Sequence, residues 1–186
     1  MKIRTIICVS IYLLFGVMGG QAIAQGISYF IGPGDVVEIS VWKDESLSRT
    51  VVVPPDGVIS FPLIGDIKTD FMTVDALRKK VSKLLAAYVP DATVTVILKE
   101  LNSLRAYVIG KVNKPGQYSI TLDTTVMQIL SIAGGLTPYA SENTIHILRR
   151  KKNITIKIPF NYSQVLKGNN LEQNIVLQRG DVVVVP

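Results

Sequence analysis

An α+β fold built from two successive units is what this chain predicts, on three observations. Short valine-rich stretches alternate apolar and polar residues at the strand period, as Val37, Ile39 and Val41 do against Glu38, Ser40 and Trp42. One amphipathic helical stretch sits among such strands in each half of the chain, the pattern of mixed α+β units. Finally, Tyr29–Trp42, YFIGPGDVVEISVW, has a partial echo in Leu177–Pro186, LQRGDVVVVP. Both set a Gly-Asp turn directly before a valine-rich strand. The Gly takes the positive φ of a tight turn, and the Asp is expected to bond its own backbone two residues on.

The N-terminus has the grammar of a secretory signal. Lys2 and Arg4 begin it, Ile6 to Val17 form a mostly apolar run, and Ala22-Ile23-Ala24 is a small-x-small cleavage site. The run is short for a bilayer span of about 20 residues, so cleavage after Ala24 is expected rather than anchoring. Cys8, the one cysteine, opens the apolar run and leaves almost no signal before it. Lipidation is therefore not expected, and the mature chain is expected to hold no thiol. Losing Lys2 and Arg4 from the 20 basic side chains lowers the charge excess from +6 to +4. That is too modest for a nucleic-acid binder, and the secreted address argues the same way.

The elements follow in order. Val37–Val41 is the first strand and Arg49–Val53 the second. Pro54-Pro55-Asp56-Gly57 is a turn, and Val58–Phe61 continues as strand, which predicts a hairpin across that turn. Pro62 breaks the ladder and Leu63-Ile64-Gly65 turns the chain again. Thr73 caps a helix reaching Tyr88, with Asp75 in its first turn and Leu77, Val81, Leu84, Leu85 and Tyr88 on one face. Pro90 stops it, and Thr93–Lys99 returns as strand. After a link at Glu100–Ser103, Ala106–Ile109 is strand, Lys114-Pro115-Gly116 is turn and Tyr118–Thr121 is strand. Thr125 caps a helix bearing Val126, Ile129, Leu130 and Ala133, which Gly134-Gly135 terminates. Thr144–Arg149 and Ile154–Ile158 form a hairpin about Lys151-Lys152-Asn153. Asn161–Leu166 is one helical turn or two, and Val182–Val185 is the last strand. The second unit thus has a β-grasp pattern.

No residue pattern nominates an enzyme. Gly32-Pro33-Gly34-Asp35 lacks dinucleotide-loop spacing and precedes a strand, not a helix. His146 is the only histidine, without the partners that metal binding needs, so a structural or surface role is expected. There is no GxSxG elbow. Asp35, Glu38, Asp44 and Glu45 cluster early and read as solvated strand ends and loops. Arg149-Arg150-Lys151-Lys152 is the densest charge run. It reads as a hydrated hairpin tip that protects an edge, with contact to a polyanion or a neighbouring subunit as the alternative. Trp42 and Tyr29 have ring faces for sugar stacking, although strand aromatics more often pack in cores or interfaces.

The stretches YFIGPGDVVEISVW and VPPDGVISFPLIGDI resemble the N-terminal domain of the bacterial polysaccharide export proteins, the outer-membrane (Wza-like) export family. YVIGKVNKPGQYSI, VMQILSIAGGLTPYAS and LQRGDVVVVP resemble the SLBB domain of the same proteins. The resemblance covers nearly all of residues 29–186. With the signal peptide at 1–24, it divides the rest of the chain into an export domain at 25–101 and one β-grasp SLBB domain at 102–186. The family pattern falls on Gly32, Pro33, Gly34 and Asp35; on Pro55, Asp56 and Gly57; on Gly110, Pro115 and Gly116; and on Gly134, Gly135, Gly180 and Asp181. Nearly all are turn and cap positions, which identify the fold better than a sugar site. The resemblance implies a periplasmic, outer-membrane-associated homo-oligomeric ring that carries capsule or exopolysaccharide outward, without catalysis, cofactor or metal. It implies an inner-membrane co-polymerase as partner. Longer relatives carry a lipidated cysteine and a C-terminal membrane helix. Their absence here predicts a short member served by a separate outer-membrane β-barrel. A periplasmic scaffold or ligand-binding module that transports nothing is the alternative function.

Overall fold

The computed structural model describes residues 28–186, so the expected signal peptide lies outside the described residues. The first unit is organised by β1 (Val36–Val41), the middle strand of a three-stranded antiparallel sheet with β2 (Asp44–Val52) and β5 (Val94–Glu100) on either side. The alternation of β1 buries Val37, Ile39 and Val41 and leaves Val36, Glu38 and Ser40 half-buried.

Two expectations fail here, for one reason. β2 begins at Asp44, not Arg49, because Lys43 adopts φ 63° and reverses the chain at once, so that Val41 pairs with Asp44. β2 therefore spends its hydrogen bonds on β1. The hairpin expected across Pro54-Pro55-Asp56-Gly57 does not form; β3 (Val58–Phe61) pairs instead with β4 (Gly65–Lys68). Pro54 and Pro55 have no N–H for a ladder. Gly57 closes the turn on the Pro54 carbonyl at 2.9 Å. The Gly57 carbonyl then accepts from the Thr69 N–H and Oγ1, both at 2.8 Å, which fastens the end of the β3–β4 hairpin. The reversal itself falls at Leu63, with φ 66°.

Helix α1 (Val74–Leu85) starts where the sequence predicts, with Thr73 Oγ1 accepting from the Ala76 N–H at 3.2 Å. Leu77, Val81 and Leu85 are buried and the helix packs on β5. Leu84 and Tyr88, expected on that face, are 39% and 59% exposed. At 100° per residue the buried arc centres on Val81 and Leu84 sits at its edge; Tyr88 lies beyond the helix end. On the exposed side, Asp75 pairs with Arg78 at 2.6 Å and Lys79 at 2.7 Å. Hydrogen bonds from Lys79 and then Arg78 lower the pKa of its carboxyl.

The second unit is a five-stranded sheet of order β7-β6-β10-β8-β9, formed by β6 (Arg105–Gly110), β7 (Gly116–Ser119), β8 (Ile145–Lys151), β9 (Ile154–Phe160) and β10 (Val182–Val185). β10 slots between two hairpins, parallel to β6 and antiparallel to β8, which is the β-grasp arrangement expected. Helix α2 (Val126–Ile132) contributes Val126, Ile129 and Leu130 to a core with Ala106, Val108, Ile145, Ile147, Val183 and Val185. Helix α3 (Tyr162–Leu166), capped by Asn161, adds Val165, and one 3-10 turn at Leu171–Gln173 escapes the sequence reading. His146 lies half-buried on β8, its Nδ1 3.2 Å from the Thr144 carbonyl.

Helix α2 begins in a capping box: Thr125 Oγ1 accepts from the Gln128 N–H at 3.4 Å, and Gln128 Oε1 accepts from the Thr125 N–H at 2.7 Å. It ends in a Schellman pair, Gly135 N–H to the Leu130 carbonyl and Gly134 N–H to the Ser131 carbonyl. Removing the cap should be measurable: Thr125→Ala is expected to cost about 1 kcal/mol, read as a lower denaturant midpoint with an unchanged slope.

Candidate functional site

The two Gly-Asp repeats fold into the same turn. In the first, the Asp35 N–H donates to the Gly32 carbonyl at 3.1 Å, and Asp35 Oδ2 accepts from the Gly32 N–H at 2.8 Å. In the second, the Asp181 N–H donates to the Gln178 carbonyl at 3.1 Å, and Asp181 Oδ2 accepts from the Gln178 N–H at 2.8 Å. Gly34 and Gly180 hold the third position with φ 92° and 81°, the left-handed region that disfavours a Cβ. Each carboxylate therefore reaches back three residues, not forward two. Each Gly-Asp pair also joins a strand. Gly34 and Asp35 exchange backbone bonds with Val53, and Gly180 N–H and the Asp181 carbonyl bond Arg105 and Tyr107.

Both aspartates are fully buried, which corrects the reading of Asp35 as part of a solvated cluster. A buried carboxylate must be compensated, and the two turns do this differently. Asp35 uses neutral donors: Oδ1 accepts from the Ser103 N–H at 2.8 Å, and Oδ2 accepts from Ser103 Oγ at 3.0 Å and from the Tyr29 hydroxyl. Ser103 sits in the link between the units, and Tyr29 packs on the core of the second unit. Asp35 thus ties the first unit to the second. Arg179 makes a reciprocal tie, its Nη2 donating to the Phe30 carbonyl at 2.8 Å, with its guanidinium against Gly32.

Asp181 uses a cation. Arg149 Nε donates to Oδ1 at 3.0 Å and Nη2 to Oδ2 at 2.6 Å, a two-pronged pair, and Nη2 also reaches the Val176 carbonyl at 3.0 Å. Arg149 is 9% exposed. Its place in the exposed charge run is corrected: on β8 it shares parity with buried Ile145 and Ile147, so the pleat turns it inward. Arg150, Lys151 and Lys152 remain exposed at the β8–β9 tip.

The structure therefore gathers Gly32, Pro33, Gly34, Asp35, Gly180, Asp181 and Arg149 at the junction of the units. It leaves Pro55, Asp56 and Gly57 at the turn into β3, Gly110 at the end of β6, Pro115 and Gly116 at the start of β7, and Gly134 and Gly135 behind α2. Sequence reasoning missed Ser103 and the Tyr29 hydroxyl, since nothing in the local pattern links them to Asp35. Among the described residues no group of three or more His, Asp or Glu is arranged to hold a metal. No described helix is long and apolar enough to cross a membrane.

The Tyr29 hydroxyl is pushed up to about 12, first by burial and then by donating to Asp35. An unfolded tyrosine ionises near pH 10, so the contribution of Tyr29 to stability is complete below that pH. It should fade as the pH rises through about 10 towards 12, because the unfolded chain releases the proton first. Tyr29→Phe is expected to flatten this alkaline decline, measured as denaturant midpoint against pH.

The first unit is thus joined to a β-grasp unit through a buried polar latch of Asp35, Ser103 and Tyr29. Residues 24–99 match the family model of polysaccharide biosynthesis/export proteins, and residues 104–185 match that of the SLBB domain. The chain belongs to the bacterial polysaccharide export protein family. The EPS I polysaccharide export outer membrane protein EpsA of Ralstonia nicotianae is 31% identical, over 88% of this chain and 49% of that protein. The polysialic acid transport protein KpsD of Escherichia coli is 24% identical, over 89% of this chain and 29% of its own. The exopolysaccharide production protein ExoF of Rhizobium meliloti is 28% identical, over 63% of this chain and 30% of its own. The chain thus spans about half the length of the Ralstonia relative.

Proposed function

We propose that this chain is a non-enzymatic component of a polysaccharide export machine, a periplasmic oligomeric conduit or adaptor toward the outer membrane. The observation that carries this reading is the succession of the two modules, export then SLBB, together with relatives named for polysaccharide export and transport. We place the boundary between the modules at 101/102; the two separate apolar cores support it.

The proposed partners are further copies of the chain, an inner-membrane co-polymerase, an outer-membrane β-barrel and the polymer in transit. Assembly between copies is supported by uncovered apolar surface. Ile109 is 46% exposed on the outer face of the five-stranded sheet, beside half-buried Val184, and Trp42 is 72% exposed at the β1–β2 turn. Such surface gains by burial against another chain. The β8–β9 tip at Arg150–Lys152 offers that assembly a polyanion or subunit contact.

Affinity isolation of the tagged chain from the envelope tests this reading. Co-isolation of a co-polymerase or an outer-membrane barrel is expected, with a light-scattering mass several times that of one chain. Recovery of envelope structural proteins alone, with a monomeric mass, would favour a scaffold that transports nothing.

A further inference from the structure

We propose that the polar cleft where the two Gly-Asp turns meet binds a carboxylate-bearing sugar unit of an acidic polysaccharide. The cleft, of about 580 Å³, is lined by the Pro33-Gly34 and Arg179-Gly180 turns, the link at Asn102 and the outward side chains of β6 and β7. It brings together two guanidinium groups from distant parts of the chain. The Gly180 N–H donates to the Arg105 carbonyl at 2.8 Å, which sets the backbones of Arg105 and Arg179 side by side.

Each guanidinium is held on one side by a neutral acceptor. Gln117, with its amide oxygen toward Arg105, accepts from Nη1 at 2.6 Å and Nε at 3.2 Å. Arg179 is held by the Phe30 carbonyl. Among the described residues neither arginine forms an ion pair. Two like charges lining one cleft, each oriented and neither in an ion pair, favour an anion, and a planar fork suits a carboxylate in two-pronged geometry.

The rest of the cleft suits a sugar. Tyr107, 40% exposed, offers a ring face at its wall. Asn102 spends its amide N–H on Glu100 at 2.8 Å, which leaves its carbonyl oxygen for a hydroxyl. At the basic tip, by contrast, Arg150, Lys151 and Lys152 stand exposed at the end of β8 and in the turn after it.

The inference rests on the export reading for the polymer as the source of that sugar, and on geometry for the anion. The test is calorimetric titration of the full protein, purified from the envelope, with tetragalacturonate, a neutral glucose tetramer and inorganic phosphate. Tetragalacturonate is expected to bind, and the neutral tetramer at least about tenfold more weakly, since hydrogen bonds to charged groups are worth more than neutral ones. Arg105→Gln should weaken tetragalacturonate by about tenfold or more with an unchanged melting temperature. Arg105→Lys, which keeps the charge and loses the fork, should fall between. Arg105 is the deciding position, because Arg179 also fastens the junction. Equal affinity for acidic and neutral tetramers, phosphate binding as tight as tetragalacturonate, or an unaffected Arg105→Gln variant would each overturn the assignment. If tetragalacturonate fails to bind while deletion of the gene still abolishes polymer export, the export reading stands and this site falls. Normal export in the deletion removes the export reading whatever the titration shows.

Discussion

Replacing Arg149 with methionine is expected to destabilise the protein by about 3–5 kcal/mol, because it strands a buried charge. Asp181 is fully buried, and Arg149 supplies three of its close contacts, from Nε to both oxygens and from Nη2 at 2.6 Å. The Gln178 N–H remains as a donor but carries no full charge. The same variant frees the Val176 carbonyl, which Arg149 Nη2 holds at 3.0 Å. Removing the charge as well should restore much of the loss: in Arg149→Met with Asp181→Asn, the amide oxygen can still accept from Gln178 while no buried ion is left. Chemical denaturation of both variants checks this. A loss below about 1 kcal/mol in the single variant would place the pair with exposed ion pairs of little weight, contrary to its burial.

Gly110→Ala is expected to be as damaging, through the backbone. Gly110 ends β6 with φ 95°, and a Cβ there would fall 2.0 Å from the carbonyl oxygen of Val185. That oxygen accepts from the Lys111 N–H at 2.8 Å, so it cannot withdraw without releasing the end of β10. Positive φ alone costs on the order of 1–3 kcal/mol, and the contact with fixed backbone adds to it; a total loss above about 3 kcal/mol is expected. The damage should be local first. β10 is four residues long and lies between β6 and β8, so amide exchange at Val183–Val185 should accelerate more than exchange in α1. Uniform acceleration across both units would contradict this placement of the strain.

Much of this fold is legible because short-range chemistry decides it. Thr73 and Thr125 are caps in sequence and in structure, and the period-two pattern of Val37, Ile39 and Val41 names the buried face of β1. Pairing is less legible. The Pro54–Gly57 stretch is a strong local turn signal, yet β2 turns back onto β1 because Lys43 reverses the chain first. The junction is half legible. The repeat marks both Gly-Asp turns, but a turn signal does not state where the carboxylate points. Asp35 finds Ser103 across 68 residues and Asp181 finds Arg149 across 32. In sequence Arg149 groups with Arg150, Lys151 and Lys152, because a charge run follows the chain, whereas a pleat sorts neighbours to opposite faces. Its parity with Ile145 and Ile147 held the signal.

A clean deletion in a strain that makes its polymer is the deciding measurement for the proposed role in polysaccharide export. Secreted and surface polymer are measured beside the lipid-linked material in the inner membrane, with the intact gene returned as control. Polymer outside the cell is expected to be lost, synthesis steps in the inner membrane to persist, and the returned gene to restore export. Undiminished polymer outside the cell in the deletion strain would contradict it.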